Sequence, residues 1–169
     1  MICPSCTSHN INGDDTCNNC GHDLRGNDIE NPETELQESI MLARIDSLFP
    51  VTPVFLKPTD TIRSAVNEMV KNGQGCVLVH EENKLIGIVT ERDILFKATD
   101  DSIDIDKFSI STIMTKNPDT LKGDAPVAYA MNAMSVGGFR HIPILNSDNS
   151  YSVLSVRRLL KHLASTISS

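Results

Sequence analysis

The sequence predicts an α/β (α+β) protein in which two β-α-β-β-α repeats pack as a pseudo-twofold pair behind a small cysteine-rich N-terminal module. Three observations predict it. The chain matches itself without a gap from residue 45 onward, Ile45 aligning with Ile110 and every later position following at the same offset. Within each copy the apolar residues switch between helical spacing and short continuous runs. Four of the five cysteines fall in the first 20 residues as two Cys-x2-Cys pairs. The 169 residues fit one domain or two small ones. With 4% aromatics and no Trp, the core must be aliphatic.

The N-terminal module, residues 1–25, comes first. Cys3 and Cys6 form one pair and Cys17 and Cys20 the other. Each pair can bite a metal ion from one tight turn, and Pro4 and Gly21 suit such turns. This spacing fits a tetrahedral four-cysteine zinc site. The segment is too small and polar to fold by apolar burial, so its folding free energy must come largely from the metal. Disulfides would need an oxidising compartment, and Met1-Ile2-Cys3-Pro4 shows no basic-then-apolar leader. Redox pairs would need a βαβ context that is missing. His9 and His22 are read as solvent-exposed, not as ligands. The stretch Cys3-Pro4-Ser5-Cys6, Asn10, Gly13, Cys17-Asn18-Asn19-Cys20-Gly21 and Leu24 resembles the zinc-ribbon family over residues 1–24. That fold alone does not assign a function.

Residues 26–43 are read as a linker and the start of a helix. The stretch 25–33 is polar and aperiodic. Asn31-Pro32-Glu33 has the form of a helix start, with Leu36, Ile40, Met41, Ile45 and Leu48 following at helical spacing. Charge changes at the same place. Residues 1–43 hold eight acids and the single base Arg25, whereas residues 44–169 hold fourteen of each. An acidic N-terminal segment without aromatics is the wrong surface for gripping a phosphate backbone.

The repeats occupy residues 44–108 and 109–169. In the first, a short strand near Val54–Leu56 precedes a helix with the stripe Ile62, Ala65, Val66, Met69 and Val70, capped by Thr59 or Asp60 and ended by Gly73. Cys76–Val79 and Leu85–Val89 form a hairpin around the turn 81–84. Thr90 then caps a helix reaching about Ala98. The second copy repeats the order with a strand near Thr120–Leu121, helix 126–136, strand 141–145, turn 146–149, strand 151–154 and helix 156–166. Cys76 is a small core residue with no adjacent base.

The segments Gly87-Ile88-Val89-Thr90-Glu91-Arg92-Asp93-Ile94, Ile113-Met114-Thr115-x-Asn117-Pro118 and Gly138-Phe139-Arg140-His141-Ile142-Pro143-Ile144 together resemble a pair of CBS domains, also called a Bateman module, over residues 44–167. The resemblance implies an adenosine-containing ligand, such as AMP, ADP, ATP or S-adenosylmethionine, in a cleft between the copies. It implies ligand contacts from Thr90, Asp93, Thr115, Arg140, His141 and Pro143. A carboxylate can accept from two vicinal ribose hydroxyls, and a guanidinium fork suits phosphate. Thr90-x-x-Asp93 also has the form of a capping box, which by itself would explain both residues.

The second copy carries Ser155 and Arg158 at the equivalent positions, and Arg158 cannot accept a hydrogen bond. Ser152 replaces Gly87, a glycine of the kind that permits close backbone approach. One competent site and one weak second cleft are therefore expected, with Arg158 otherwise a solvated helix charge. The implied protein is a non-catalytic, cytoplasmic regulator without a membrane span. It would form a homodimer through helices 62–72 and 156–166, and the ribbon would engage a protein partner. A ligand-free adaptor is the alternative. A nucleic-acid reader is disfavoured by charge. Enzymatic chemistry is disfavoured because no nucleophile, phosphate loop or open metal position is visible.

Overall fold

The computed structural model describes residues 1–11, 14–24, 34, 37–38, 42–99 and 103–167. The linker 25–33, the helix start at Asn31-Pro32-Glu33 and the stripe positions Leu36, Ile40 and Met41 lie outside the described residues. The described chain is mixed α/β with two sheets and four α-helices. It divides into two compact units, one of residues 52–119 and one of residues 1–51 with 120–169.

The unit 52–119 contains β1 (Phe55–Leu56), α1 (Ile62–Asn72), β2 (Cys76–Glu81), β3 (Lys84–Thr90), α2 (Glu91–Lys97) and β4 (Thr115–Lys116). Its sheet order is β1-β2-β3-β4, with β1 parallel to β2 and the other pairs antiparallel. Glu82 and Asn83, both at positive φ, make a two-residue hairpin turn, the geometry that matches strand twist. Glu81 and Lys84 pair across this turn, which is the expected turn 81–84, and a bulge lies at Val79/His80. Val77, Val79 and Val89 pack under Ile62, Ala65 and Met69 of α1.

Two details of α1 correct the sequence reading. Thr61, not Thr59 or Asp60, caps it, its Oγ1 accepting from Ser64 N at 3.2 Å. Asp60 is occupied elsewhere, its carboxylate accepting from Lys57 N at 2.7 Å. Val70 is not in the buried stripe but 78% exposed. Gly73 ends the helix in the left-handed conformation at φ 61°, as expected.

The second sheet is β5 (Leu121–Lys122), β6 (His141–Leu145) and β7 (Tyr151–Ser155), in that order. It carries α3 (Val127–Gly137) and α4 (Val156–Ile167). Gly138 ends α3 at φ 65°.

Ile45 and Leu48 do not extend a long helix. Arg44 is extended (φ −76°, ψ 144°), and residues 45–48 form a separate 3-10 turn. That turn opens the first repeat in sequence but is buried with Leu121, Ile142, Ile144 and Leu154 of the second. The backbone repeats this exchange in both units. Ile45 N donates to Ala125 O, and Ile110 N to Asp60 O; Asp46 N donates to Gly123 O, and Ser111 N to Pro58 O. Val127 N donates to Ala43 O, and Ile62 N to Phe108 O. Val51 bonds both ways with Val153, and in the other unit β4 pairs with β3 in the corresponding way. Each repeat therefore lends its leading segment to the unit built around the other.

Gly87 serves this exchange. A side chain there would meet Met114 Sδ at 2.6 Å and the Thr115 carbonyl at 3.2 Å, so the glycine lets the leading segment 114–116 approach β3. Ser152 at the matching place is buried, its hydroxyl donating to Asn146 Oδ1 at 3.0 Å.

Replacing the fully buried Ile45 by Ala should cost about 2–5 kcal/mol. Hydrogen exchange should locate the loosening in β5–β7 and not in β1–β4, although Ile45 belongs in sequence to the first repeat. Loosening centred on β1–β4 would contradict the exchange.

Candidate functional site

The N-terminal module is two equivalent knuckles. Ile2 bridges His9 and Thr16 bridges Asp23, each pair antiparallel. Thr7 N donates to Cys3 O and Gly21 N to Cys17 O, both at 2.8 Å, with Thr7 and Gly21 in the left-handed conformation. All cysteines are free. The sulfurs of Cys3, Cys6, Cys17 and Cys20 lie within 4.8 Å of one another, with Cys3–Cys20 at 3.7 Å and Cys6–Cys17 at 3.6 Å. A tetrahedral ion with bonds of about 2.3 Å to sulfur requires sulfurs about 3.8 Å apart. The cluster can therefore hold a metal ion, and neither His9 nor His22 belongs to it.

Ser8, which no sequence signal singles out, lies between two of these sulfurs, 3.0 Å from Cys6 Sγ and 3.1 Å from Cys17 Sγ. Its hydroxyl holds Cys17 down at about 5 and Cys6 down at about 7. Burial pushes Cys3 up to about 12 and also raises Cys20. A bound cation requires all four as thiolates. Among the described residues of this module, Cys3, Pro4, Cys17 and Leu24 are buried, with Met1 and Cys6 packed against the cluster of Cys3, Cys17 and Leu24. Lys122 ties the module to β5 by donating to Thr7 Oγ1 at 3.2 Å.

The second candidate site begins where β3 runs into α2. Thr90 Oγ1 accepts from Asp93 N at 3.3 Å, and Asp93 Oδ2 accepts from Thr90 N at 2.9 Å, so the capping box is formed. Thr90 Oγ1 also donates to Asp93 Oδ2 at 2.6 Å. The other carboxylate oxygen, Oδ1, accepts from Lys97 Nζ at 2.6 Å. Lys97 Nζ donates further to the Ile113 carbonyl at 2.8 Å. Asp93 is a buried charge, and pairing is what makes its burial tolerable. Lys97 was missed in the sequence, although an Asp and a Lys four residues apart on a helix are natural partners.

Thr115 is exposed in β4, opposite Ile88 of β3. The remaining candidates belong to the other unit. Arg140 is exposed, and its carbonyl accepts from Val156 N at the head of α4. Gly75 O does the same for Glu91 N at the head of α2. His141 opens β6 opposite Ser155, and Pro143 is buried in the same strand. Arg158 is half-buried, with its guanidinium 3.5 Å from the Leu48 carbonyl. It is thus not a simple solvated charge. Leu48 and Ile113 are equivalent in the repeat, so each unit sets a cation against the carbonyl that closes its borrowed turn. Cys76 is buried in β2 and pushed up to about 12 by that burial, as befits a core residue and not a nucleophile.

Among the described residues, no helix is long and apolar enough to cross a membrane. The family profile of the CBS domain matches residues 42–100 and 110–165. An uncharacterised 17.7 kDa protein of Acidianus ambivalens is 32% identical over 125 residues, covering 73% of this chain and 74% of that one. The CBS domain-containing protein CBSCBSPB1 of Arabidopsis thaliana is 30% identical over 67% of this chain. The chain spans only 21% of that relative's length. Among solved structures, the CBS domain protein PAE2072 from Pyrobaculum aerophilum, complexed with AMP, superposes with a TM-score of 0.62 at 29% identity, covering 73% of this chain and 99% of that one.

Replacing Thr90 by Ala removes one half of the capping box and should cost about 1 kcal/mol of stability in thermal melts. Replacing it by Ser should keep the bond and cost less. Equal losses in the two variants would show that the Thr90 methyl, not its hydroxyl, matters.

Proposed function

The chain belongs to the CBS-domain family, and from that premise we propose that it is a regulatory, non-catalytic protein whose CBS pair senses an adenosine-containing ligand. The observation that carries this reading is Asp93. A buried carboxylate stands at the head of α2 with Thr90 beside it, in the motif whose resemblance implied a ribose site. The AMP complex of the Pyrobaculum aerophilum relative supports an adenylate as the ligand class. AMP, ADP, ATP and S-adenosylmethionine are the candidates. Thr115, Arg140, His141 and Pro143 complete the proposed site, with Arg140 facing phosphate if the ligand carries one.

The proposal has one competent site. Ser155 and Arg158 mark the weaker cleft, because Arg158 offers no acceptor and its guanidinium is directed to the Leu48 carbonyl. Ligand acts only through its different affinity for two states of the pair. The repeats are proposed to occupy 44–108 and 109–169 and the ribbon 1–25. Val70 on α1 and Leu160 on α4 are exposed apolar residues on the two helices proposed to form a homodimer.

Cys3, Cys6, Cys17 and Cys20 would hold zinc, which supplies the folding free energy of the ribbon. Four ligands leave no open position for water, so the ion is structural. We propose that the ribbon presents a surface to a protein partner in the cytoplasm, where thiols stay reduced. One observation favours the adaptor alternative: the carboxylate of Asp93 already has partners in Thr90 and Lys97.

Calorimetric titration with the four ligands tests the reading. Wild type should saturate near one ligand per chain, Asp93→Ala should lose binding, and Arg158→Ala should keep it. No heat with any ligand would favour the adaptor, and equal loss in both variants would refute the single site. In the ribbon, a strong chelator should release about one zinc per chain and abolish protection in residues 1–24 while β1–β7 persist. Retained protection there after metal removal would show that zinc is not what folds the module.

A further inference from the structure

We propose that Lys97 is a positioning residue that gates Asp93 and carries ligand binding into the segment joining the two repeats. The inference rests on the reading that Asp93 receives a ribose. An ionised carboxylate offers about four acceptor positions. Asp93 Oδ2 is engaged by Thr90 twice, through its amide at 2.9 Å and its hydroxyl at 2.6 Å. Oδ1 is engaged by Lys97 at 2.6 Å. One position remains, and a vicinal diol brings two donors, so one present donor must yield. The Thr90 amide is held by the capping box, and the Thr90 hydroxyl that donates is also the cap that accepts from Asp93 N. The Lys97 side chain is 45% exposed and that of Asp93 only 11%, so of the two the ammonium is the group that water can receive.

Release of Lys97 has a second effect. The same ammonium donates to the Ile113 carbonyl at 2.8 Å. Ile113 closes the 3-10 turn 110–112, and three residues later the chain is β4, paired with β3 at Gly87. Ligand at Asp93 therefore removes the cation from the carbonyl that ends the borrowed turn. Among the described residues the other unit shows no such link: Arg158 reaches the Leu48 carbonyl at 3.5 Å without a carboxylate between. The device is one-sided, which suits a pair with one competent site.

The test uses adenosine, whose neutrality removes any direct charge attraction to Lys97. Lys97→Met keeps the aliphatic stem and removes the ammonium. It should bind adenosine about two- to fivefold more tightly than wild type, the range expected from removing a partly exposed ion pair. Lys97→Arg keeps a cation and should stay near wild type. Lys97→Gln serves if the Met variant fails to fold. In wild type, adenosine should speed hydrogen exchange at the Ile113 and Met114 amides, which donate to Ile110 O. In Lys97→Met those amides should exchange fast without ligand. Unchanged or weaker adenosine binding in Lys97→Met, with Asp93→Ala still abolishing it, would overturn the gate and leave the ribose site standing. No adenosine binding by wild type or by any variant would overturn the site itself, and the gate with it.

Discussion

A β-hairpin needs further strands and a covering helix before it is stable in water, and here part of that cover comes from the wrong side of the sequence. The hairpin of the second repeat is flanked by β5, but its far strand is met by Val51, from the leading segment of the first repeat. The hairpin of the first repeat is met by β4, from the leading segment of the second. Ile45 and Leu48 fill one core, and Ile110 and Ile113 fill the other. A unit of about 60 residues buries only about 60% of the surface its unfolded chain exposes. Each repeat is therefore short of core alone, and the loan of a leading segment makes up the deficit in both directions. The pair is the folding unit for this reason.

The loan creates a polar problem that the two units solve differently. A 3-10 turn packed on a core leaves carbonyls that need partners. In one unit Lys97 donates to Ile113 O and is itself neutralised by Asp93. In the other Arg158 stands near Leu48 O, with no carboxylate paired to it among the described residues. The copies diverge at Asp93 and Arg158, and that divergence changes how each borrowed turn is capped.

The N-terminal module depends on a different kind of constraint. Its buried residues are few, and its two knuckles are held by backbone bonds around the sulfurs. Four thiols brought this close, with Ser8 lowering two of them, form a donor set whose natural complement is a cation.

Much of this was legible in the sequence because it depends on local or periodic signals. Ungapped self-similarity determined two copies of one unit, apolar spacing determined the order of helices and strands, and two Cys-x2-Cys pairs determined the metal-holding cluster. Thr90-x-x-Asp93 was legible both as a capping box and as a candidate ribose site, since both depend on residues three apart. Other features were decided only in three dimensions. Thr61 caps α1 because Asp60 is taken up by the Lys57 amide, and sequence does not rank neighbouring caps. Val70 falls outside the stripe because burial depends on what packs against a helix, not on period alone. Ile45 and Leu48 matched a helix, but extended Arg44 breaks it and sends both into the opposite unit. Lys97 and Arg158 acquire their partners from carbonyls 16 and 110 residues away in sequence. Such contacts leave no periodic trace, because a backbone carbonyl is the same group at every position and only the fold decides which one a cation meets.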